Sequence, residues 1–263
     1  MAKHTAYLIL LGLFLLAGCG GGGGHDMAVT RTYTIAANVD NCRLFRYWAG
    51  TPATARWARY TDVEILTADI PWGSPWALAG SDINRGFFRW PLDIPAGSII
   101  IEAHATFTSS RDDYPADPED TKAFNAQLYL IDADNCANIS TLWPTGTLYY
   151  ETELVTPFAM ETDPAPVTWP ITAVAWPKDG EHETTDIKAL VQGFIDRAGY
   201  ASGNYIGIVL HEGDAKPAGD PPALGAEGAC RFVDSLAGTH PAVLTIRYKR
   251  WGDRWYKWAQ ARP

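Results

Sequence analysis

Six aromatic side chains crowd into residues 47–76: Tyr47, Trp48, Trp57, Tyr60, Trp72 and Trp76. Flat aromatic rings stack on the apolar C–H faces of sugars while neighbouring polar groups take the hydroxyls. Ile70-Pro-Trp-Gly-Ser-Pro-Trp76 is rich in turn formers. Trp72 and Trp76 are therefore expected on a displayed loop, with Trp57 and Tyr60 completing a carbohydrate-binding set. Core or inter-sheet packing would use the same rings, because most Trp is largely buried.

A second constellation is Asp132-Ala-Asp134-Asn135. Two carboxylates at i and i+2, an amide and nearby carbonyls supply hard oxygen ligands, the set that Ca²⁺ takes. The spaced ligands and terminal Glu of an EF-hand are missing, and a solvated turn with Asx hydrogen bonds uses the same residues. Asp40-Asn41 is a weaker version. A third constellation is the tail, residues 249–263. It carries Lys249, Arg250, Arg254, Lys257 and Arg262 against Asp253, with Trp251, Trp255 and Trp258 at i, i+4 and i+7. Trp among Lys and Arg suits a membrane interface, docking on a protein partner, or packing back on an acidic body.

No constellation points to catalysis, and no catalytic residue is assigned. None of the six His belongs to an H-E-x-x-H pair, and Ser74 lacks the Gly-x-Ser-x-Gly context of a hydrolase nucleophile. The chain has 21 basic and 30 acidic residues, net −9, which argues against nucleic acid as the partner.

The start of the chain reads as an address. Lys3 precedes an apolar stretch, Ala6 to Ala17, too short to span a bilayer as a helix. Leu16-Ala-Gly-Cys19 resembles the bacterial lipoprotein box, which implies cleavage after residue 18 and lipidation of Cys19. Residues 19–32, in which Cys19 is followed by five glycines, then form a tether. The expected location is extracytoplasmic, lipid-anchored to a bacterial membrane at the outer membrane or cell surface. Export favours a disulfide between two of Cys42, Cys136 and Cys230, and all three pairings remain open.

The elements that must position these groups are mostly strands. With 11 Trp, 12 Tyr, 24 Gly and 18 Pro, the composition suits many short strands and turns. Gly86–Trp90 reads as a strand, and Ile94-Pro-Ala-Gly97 as a turn. In Ile99–Phe107, alternation puts Ile99, Ile101, Ala103, Ala105 and Phe107 on one face. Phe124–Ile131, Thr168–Trp176, Tyr205–Leu210 and Ala242–Tyr248 are further strands, with Pro170 marking an edge or bulge. Ser109–Asp120 reads as a loop. Ile187, Leu190, Val191, Phe194 and Ile195 form one helical stripe, with Thr185 or Asp186 as the cap and Gly199 as the close.

Taken in order, three stretches resemble the secreted modules known as DNRLRE or disaggregatase-related domains. They are Arg85 to Ala103, with its Ile-Pro-Ala-Gly turn; Leu128 to Asn135, a strand entering an acidic loop; and Thr185 through Gly203-Asn204-Tyr205 to Tyr248. Val39 to Arg43 matches the opening strand. The resemblance implies an all-β, jelly-roll-like antiparallel sandwich over residues 33–248, with one short amphipathic helix, a carbohydrate-binding role and a structural calcium in the 132–135 loop. The chain departs from it in lacking an enzyme domain, in the Trp-rich insertion before Arg85 and in the basic tail. The expected function is a lipid-anchored module that binds surface or extracellular polysaccharide. The alternative is a structural or adhesive lipoprotein that mediates protein–protein contacts, with the tail as its docking element.

Overall fold

The computed structural model describes residues 28–35, 37, 40–48, 55–59, 69–73, 83–113, 121–142, 148–150, 159–211, 213–214, 229–234 and 240–250. Within 43–48, 55–59, 69–73 and 148–150 the description is of backbone course and register. The elements are β1 (Val29–Thr34), β2 (Asn41–Trp48), β3 (Ala55–Arg59), β4 (Asp69–Gly73), β5 (Ile83–Pro91), β6 (Ile99–Thr108), β7 (Phe124–Leu130), α1 (Ile139–Leu142, one turn), β8 (Leu148–Tyr150), β9 (Val167–Ile171), β10 (Glu181–Glu183), α2 (Lys188–Ile195), β11 (Tyr205–His211), β12 (Cys230–Asp234) and β13 (Val243–Lys249).

They form an all-β antiparallel sandwich. One sheet runs β1-β13-β6-β10; the other runs β8-β3-β2-β5-β11-β7-β9, with β4 pairing both β5 and β12. Alternation builds the core. In β7 Phe124, Ala126, Leu128 and Leu130 point inward, and in β13 Leu244, Ile246 and Tyr248 do. They meet Phe88, Trp90, Ala103, Ala105, Phe107 and Trp169 in one cluster. Each such apolar side chain contributes roughly 1.5–3 kcal/mol by leaving water. Phe107 bridges the layers, its ring centroid 4.9 Å from Phe88 and 5.8 Å from Trp169. The Trp90 indole donates to the Ala242 carbonyl at 3.0 Å.

Several sequence expectations need correction. The alternation of β6 breaks at its start: Ile99 is 45% exposed and Ile100 is buried. The ladder pairs Arg247 with Glu102 but Tyr248 with Ile100, so Ile101 is an extra residue. A bulge of this kind reverses the facing of everything before it. Val29–Thr32, read as tether, belong to β1, which pairs with β13 along its whole length. β9 ends at Ile171 rather than at 176, because the chain turns to bring Trp176 onto Asp113, whose carboxylate accepts the Trp176 N–H at 2.8 Å. Pro170 sits exposed on an edge strand, as its missing N–H requires. The Ile-Pro-Ala-Gly turn is present, with Gly97 at φ 73°.

The helix expectation holds for its buried stripe: Ile187, Leu190, Val191, Phe194 and Ile195 are at most 2% exposed. Its ends differ. Asp196, not Gly199, closes α2. Neither expected cap stands at the N-cap, which is Ile187 without a side-chain cap bond: Asp186, one residue earlier, accepts the Lys188 N–H at 2.9 Å, and the Thr185 hydroxyl donates to the Thr168 carbonyl. The helix segment also covers an edge. Where β10 no longer pairs with β6, the backbone N–H groups of Ala105, Ala103 and Ile100 donate to Thr184 Oγ1, Asp186 Oδ1 and Gln192 Oε1 at 3.0, 3.0 and 2.8 Å. Side chains thus occupy donors that a bare edge would offer to another strand.

Candidate functional site

The acidic loop folds around a cation of its own. Arg197, just past α2, points back beneath β7. Its Nη1 lies 3.0 Å from Asp132 Oδ1 and 3.6 Å from Asp134 Oδ1, and its Nη2 pairs with Glu161. Asn135 Oδ1 accepts the Tyr205 N–H at 2.9 Å, and Asn204 Nδ2 donates to the Asp134 carbonyl at 2.8 Å. Gly199 leaves room for this: a Cβ there would come within 1.9 Å of Asp134 Oδ2. Asp132 Oδ1, Asp134 Oδ1 and Asn135 Oδ1, three of the oxygens expected for calcium, thus face a guanidinium or a backbone amide. Among the described residues no three His, Cys, Asp or Glu converge to hold a metal. Asp40, of the weaker cluster, is likewise paired, with Arg89.

The aromatic candidates divide differently from expectation. Cys19, Tyr60, Trp76 and residues 251–263 of the tail lie outside the described residues. Trp72 stands on a strand rather than a loop, opposite the fully buried Arg231 in the β4–β12 ladder. Trp57 stands on β3, in register between Arg46 of β2 and Tyr149 of β8.

The faces of this sheet follow from its middle strand. Phe88 belongs to the inter-sheet core, whereas Phe87 belongs to a second cluster with Cys42, Ile131, Cys136, Ile139 and Val209 on the opposite face. Cross-strand partners share a face. Counting by twos along the ladders, backbone positions 44, 46 and 48 of β2, 57 and 59 of β3, 149 of β8 and 83 and 85 of β5 share the register parity of the Cys42–Phe87 pair. Sequence reasoning found Trp57 but missed the arginines. The available signal was compositional: β2, β3, β5 and β8 hold six Arg and nine aromatic residues, with no Lys and no carboxylate. Arg89, on the same face, is held within the protein by Asp40 and by the Cys136 carbonyl at 2.7 Å, with its guanidinium 3.9 Å from the centre of the Tyr205 ring.

A buried polar group in the 109–113 segment was also missed. Asp113, read as part of a polar loop, is 5% exposed and faces Arg231 Nε at 3.4 Å. Arg231 donates to the carbonyls of Cys230, Lys122 and Thr172 at 2.6, 3.1 and 3.1 Å, tying four segments together. Beside it the His182 ring stacks on Trp176, with centroids 3.5 Å apart and planes within 9°. Its Nε2 lies 3.0 Å from Ser109 Oγ. Burial, aided by the Arg231 charge, pulls His182 down to about 4, so the imidazole is neutral at physiological pH. Ser109 is 1% exposed, and its hydroxyl therefore holds the imidazole rather than facing a substrate.

The expected cysteine pairing is not present. Cys42, Cys136 and Cys230 are all buried, and the structure joins no two of them. Cys42 lies on β2, whereas the Cys136 N–H donates to Tyr205 of β11 at 2.8 Å. Cys42 and Cys136 share the second apolar cluster as separate thiols. Cys230 stands apart on β12, opposite Gly73. Burial pushes the Cys136 thiol up to about 12, so it stays protonated and unreactive. No protein-family model matches the chain, and no curated protein matches it.

Proposed function

We propose that the protein is a carbohydrate-binding β-sandwich module, exported and held at a bacterial membrane through a lipid on Cys19. The observation that carries the binding reading is the register row Arg46–Trp57–Tyr149. It brings two aromatic positions and one arginine position of neighbouring strands into a single register row. Neighbouring strands set such positions about 4.8 Å apart on a rigid support, which suits stacking against a chain of pyranose rings. The resemblance to DNRLRE-type modules points the same way, and the Leu16–Cys19 box supplies the anchor.

The test is binding of the full chain, carrying Cys19→Ser to prevent lipidation, to a panel of immobilised polysaccharides. At least one glycan should bind, and Trp57→Ala should weaken it at least tenfold, about 1.4 kcal/mol, with the melting temperature unchanged. Equal affinity in a normally folded Trp57→Ala variant, or no binding across the panel, ends the proposal.

A further inference from the structure

The edges of the two sheets are guarded unequally. At one side of the four-stranded sheet, β10 is three residues long, and Thr184, Asp186 and Gln192 cap the β6 donors beyond it. In the larger sheet, β8 is also three residues long. Its opposite edge, β9, contains Pro170, which has no N–H, and its Thr168 carbonyl accepts the Thr185 hydroxyl at 2.7 Å. The edge strand β1 differs from all three. It follows β13 without a bulge over six residues, Val29 to Thr34, and holds no Pro. No hydrogen bond between described residues reaches its open side. Thr30, Thr32 and Thr34 are exposed, and every residue except Arg31 is β-branched or aromatic, which favours strand pairing. Alternate residues of such an edge turn N–H and C=O groups outward, and left bare they are a template for another strand.

The strand is complementary to itself. A two-fold axis normal to the sheet keeps each face on its own side, so it must pass through a residue rather than between two. Two such registers overlap five residues of β1. Centred on Arg31, the pairing would oppose two guanidiniums. Centred on Thr32, it sets Thr32 against the partner's Thr32, Thr30 against the partner's Thr34, and Arg31 against the partner's Tyr33. Thr–Thr pairs are favourable across strands. The Tyr33 hydroxyl donates to Asp93 Oδ1 at 2.5 Å, so each Arg31 faces a ring with a carboxylate behind it instead of a like charge. Within one copy Arg31 bonds Tyr248 of β13, so its charge does not stand across the edge as a block to pairing.

We propose that β1 is a homodimer interface: two copies pair β1 to β1, antiparallel about Thr32, and join their four-stranded sheets into one of eight strands. One strand pair with its flanking side chains is a small interface, so the dimer forms reversibly and grows with concentration. The inference is independent of the carbohydrate reading, because the pairing uses an edge of the other sheet.

The experiment uses the full-length Cys19→Ser protein. Sedimentation velocity from micromolar to millimolar concentration should show a monomer–dimer equilibrium. Thr32→Lys sets two ammonium groups against each other on the axis. It should raise the dimer dissociation constant at least tenfold with the melting temperature unchanged, and mixing with Thr32→Glu should restore a dimer. Thr168→Lys, on the β9 edge, should stay within twofold. Should Thr32→Lys fail to fold, introduced cysteines decide. Under mild oxidation Thr32→Cys should give a covalent dimer, because directly opposed Cα atoms lie about 4.5–5.5 Å apart. Thr30→Cys and Thr34→Cys should crosslink when mixed and not alone, and the native thiols, all buried, should not crosslink. A monomer at every concentration overturns the proposal, including one whose β1 amides resist hydrogen exchange because another segment of the chain covers them. A dimer that Thr32→Lys leaves unchanged, that Thr168→Lys weakens equally, or that crosslinks through Arg31→Cys instead of Thr32→Cys overturns it too.

Discussion

His182 gives the most quantitative check on the buried side of the sandwich. Its ring is stacked on Trp176, hydrogen-bonded to Ser109 and lowered to about 4 by burial and by Arg231. In the unfolded chain it titrates near the ordinary 6.5. Between those values the unfolded state binds a proton that the folded state refuses, so stability rises with pH. The contribution is therefore complete above about pH 6.5 and is lost as pH falls towards 4. At about 1.4 kcal/mol per pH unit the ceiling is near 3 kcal/mol, and partial solvent access reduces it to roughly 1–3 kcal/mol. His182→Gln keeps a group able to bond Ser109 and removes the titration. Urea unfolding of both proteins at closely spaced pH values should give a stability difference that is flat above pH 6.5 and shrinks by roughly 1–3 kcal/mol by pH 4. Carboxylates that titrate in the same range are common to both proteins and cancel. A difference constant across the range, or an imidazole NMR titration with its midpoint near 6.5, would refute the reasoning.

His104 should behave in the opposite sense. Burial lowers it, but the Thr184 carbonyl and the carboxylates of Glu102, Glu183 and Asp186 outweigh burial and raise it. Its contribution is present below about pH 6.5 and lost as pH rises through the raised value, so the wild-type advantage over His104→Gln should fall on the alkaline side in the same urea series. Gly199→Ala drives a methyl group into Asp134 and should cost about 1–3 kcal/mol by thermal melting. Most of that cost should vanish in an Asp134→Ala background, by the logic of a double-mutant cycle. Asp186→Ala removes the acceptor of the Ala103 and Lys188 N–H groups and should cost about 2–3 kcal/mol. It should also raise concentration-dependent aggregation, read by light scattering, because part of the β6 edge is uncovered.

Much of the sandwich was legible because its signals are local. The alternation of Phe124–Leu130 and of Val243–Lys249, and the helical stripe ending at Ile195, need only neighbouring residues to be read. The departures share a non-local cause. The bulge at Ile101 shows only when β6 is laid against β13, and alternation alone assigns Ile99 to the wrong face. Arg197 lies 65 residues from Asp132, so nothing near the acidic loop foretells the guanidinium that fills it. Trp72 sits in a turn-rich heptad whose strand character comes from pairing with β12, far along the chain. The Arg46–Trp57–Tyr149 row is the sharpest case. Its residues come from three strands between positions 41 and 150, and only the ladder that puts Trp57 between Arg46 and Tyr149 makes them neighbours.

The central proposal is that the strands carrying the Arg46–Trp57–Tyr149 row contact the glycan, and chemical-shift mapping of the full-length, isotope-labelled protein during titration with a bound oligosaccharide tests it most directly. The account predicts saturable shifts in the Trp57 indole N–H and in the Nε–H groups of Arg46 and Arg59, with Thr245, His104 and Thr106 on the outer face of the four-stranded sheet unmoved. Shifts confined to those three residues, or to the Asp132–Asn135 loop, would contradict it.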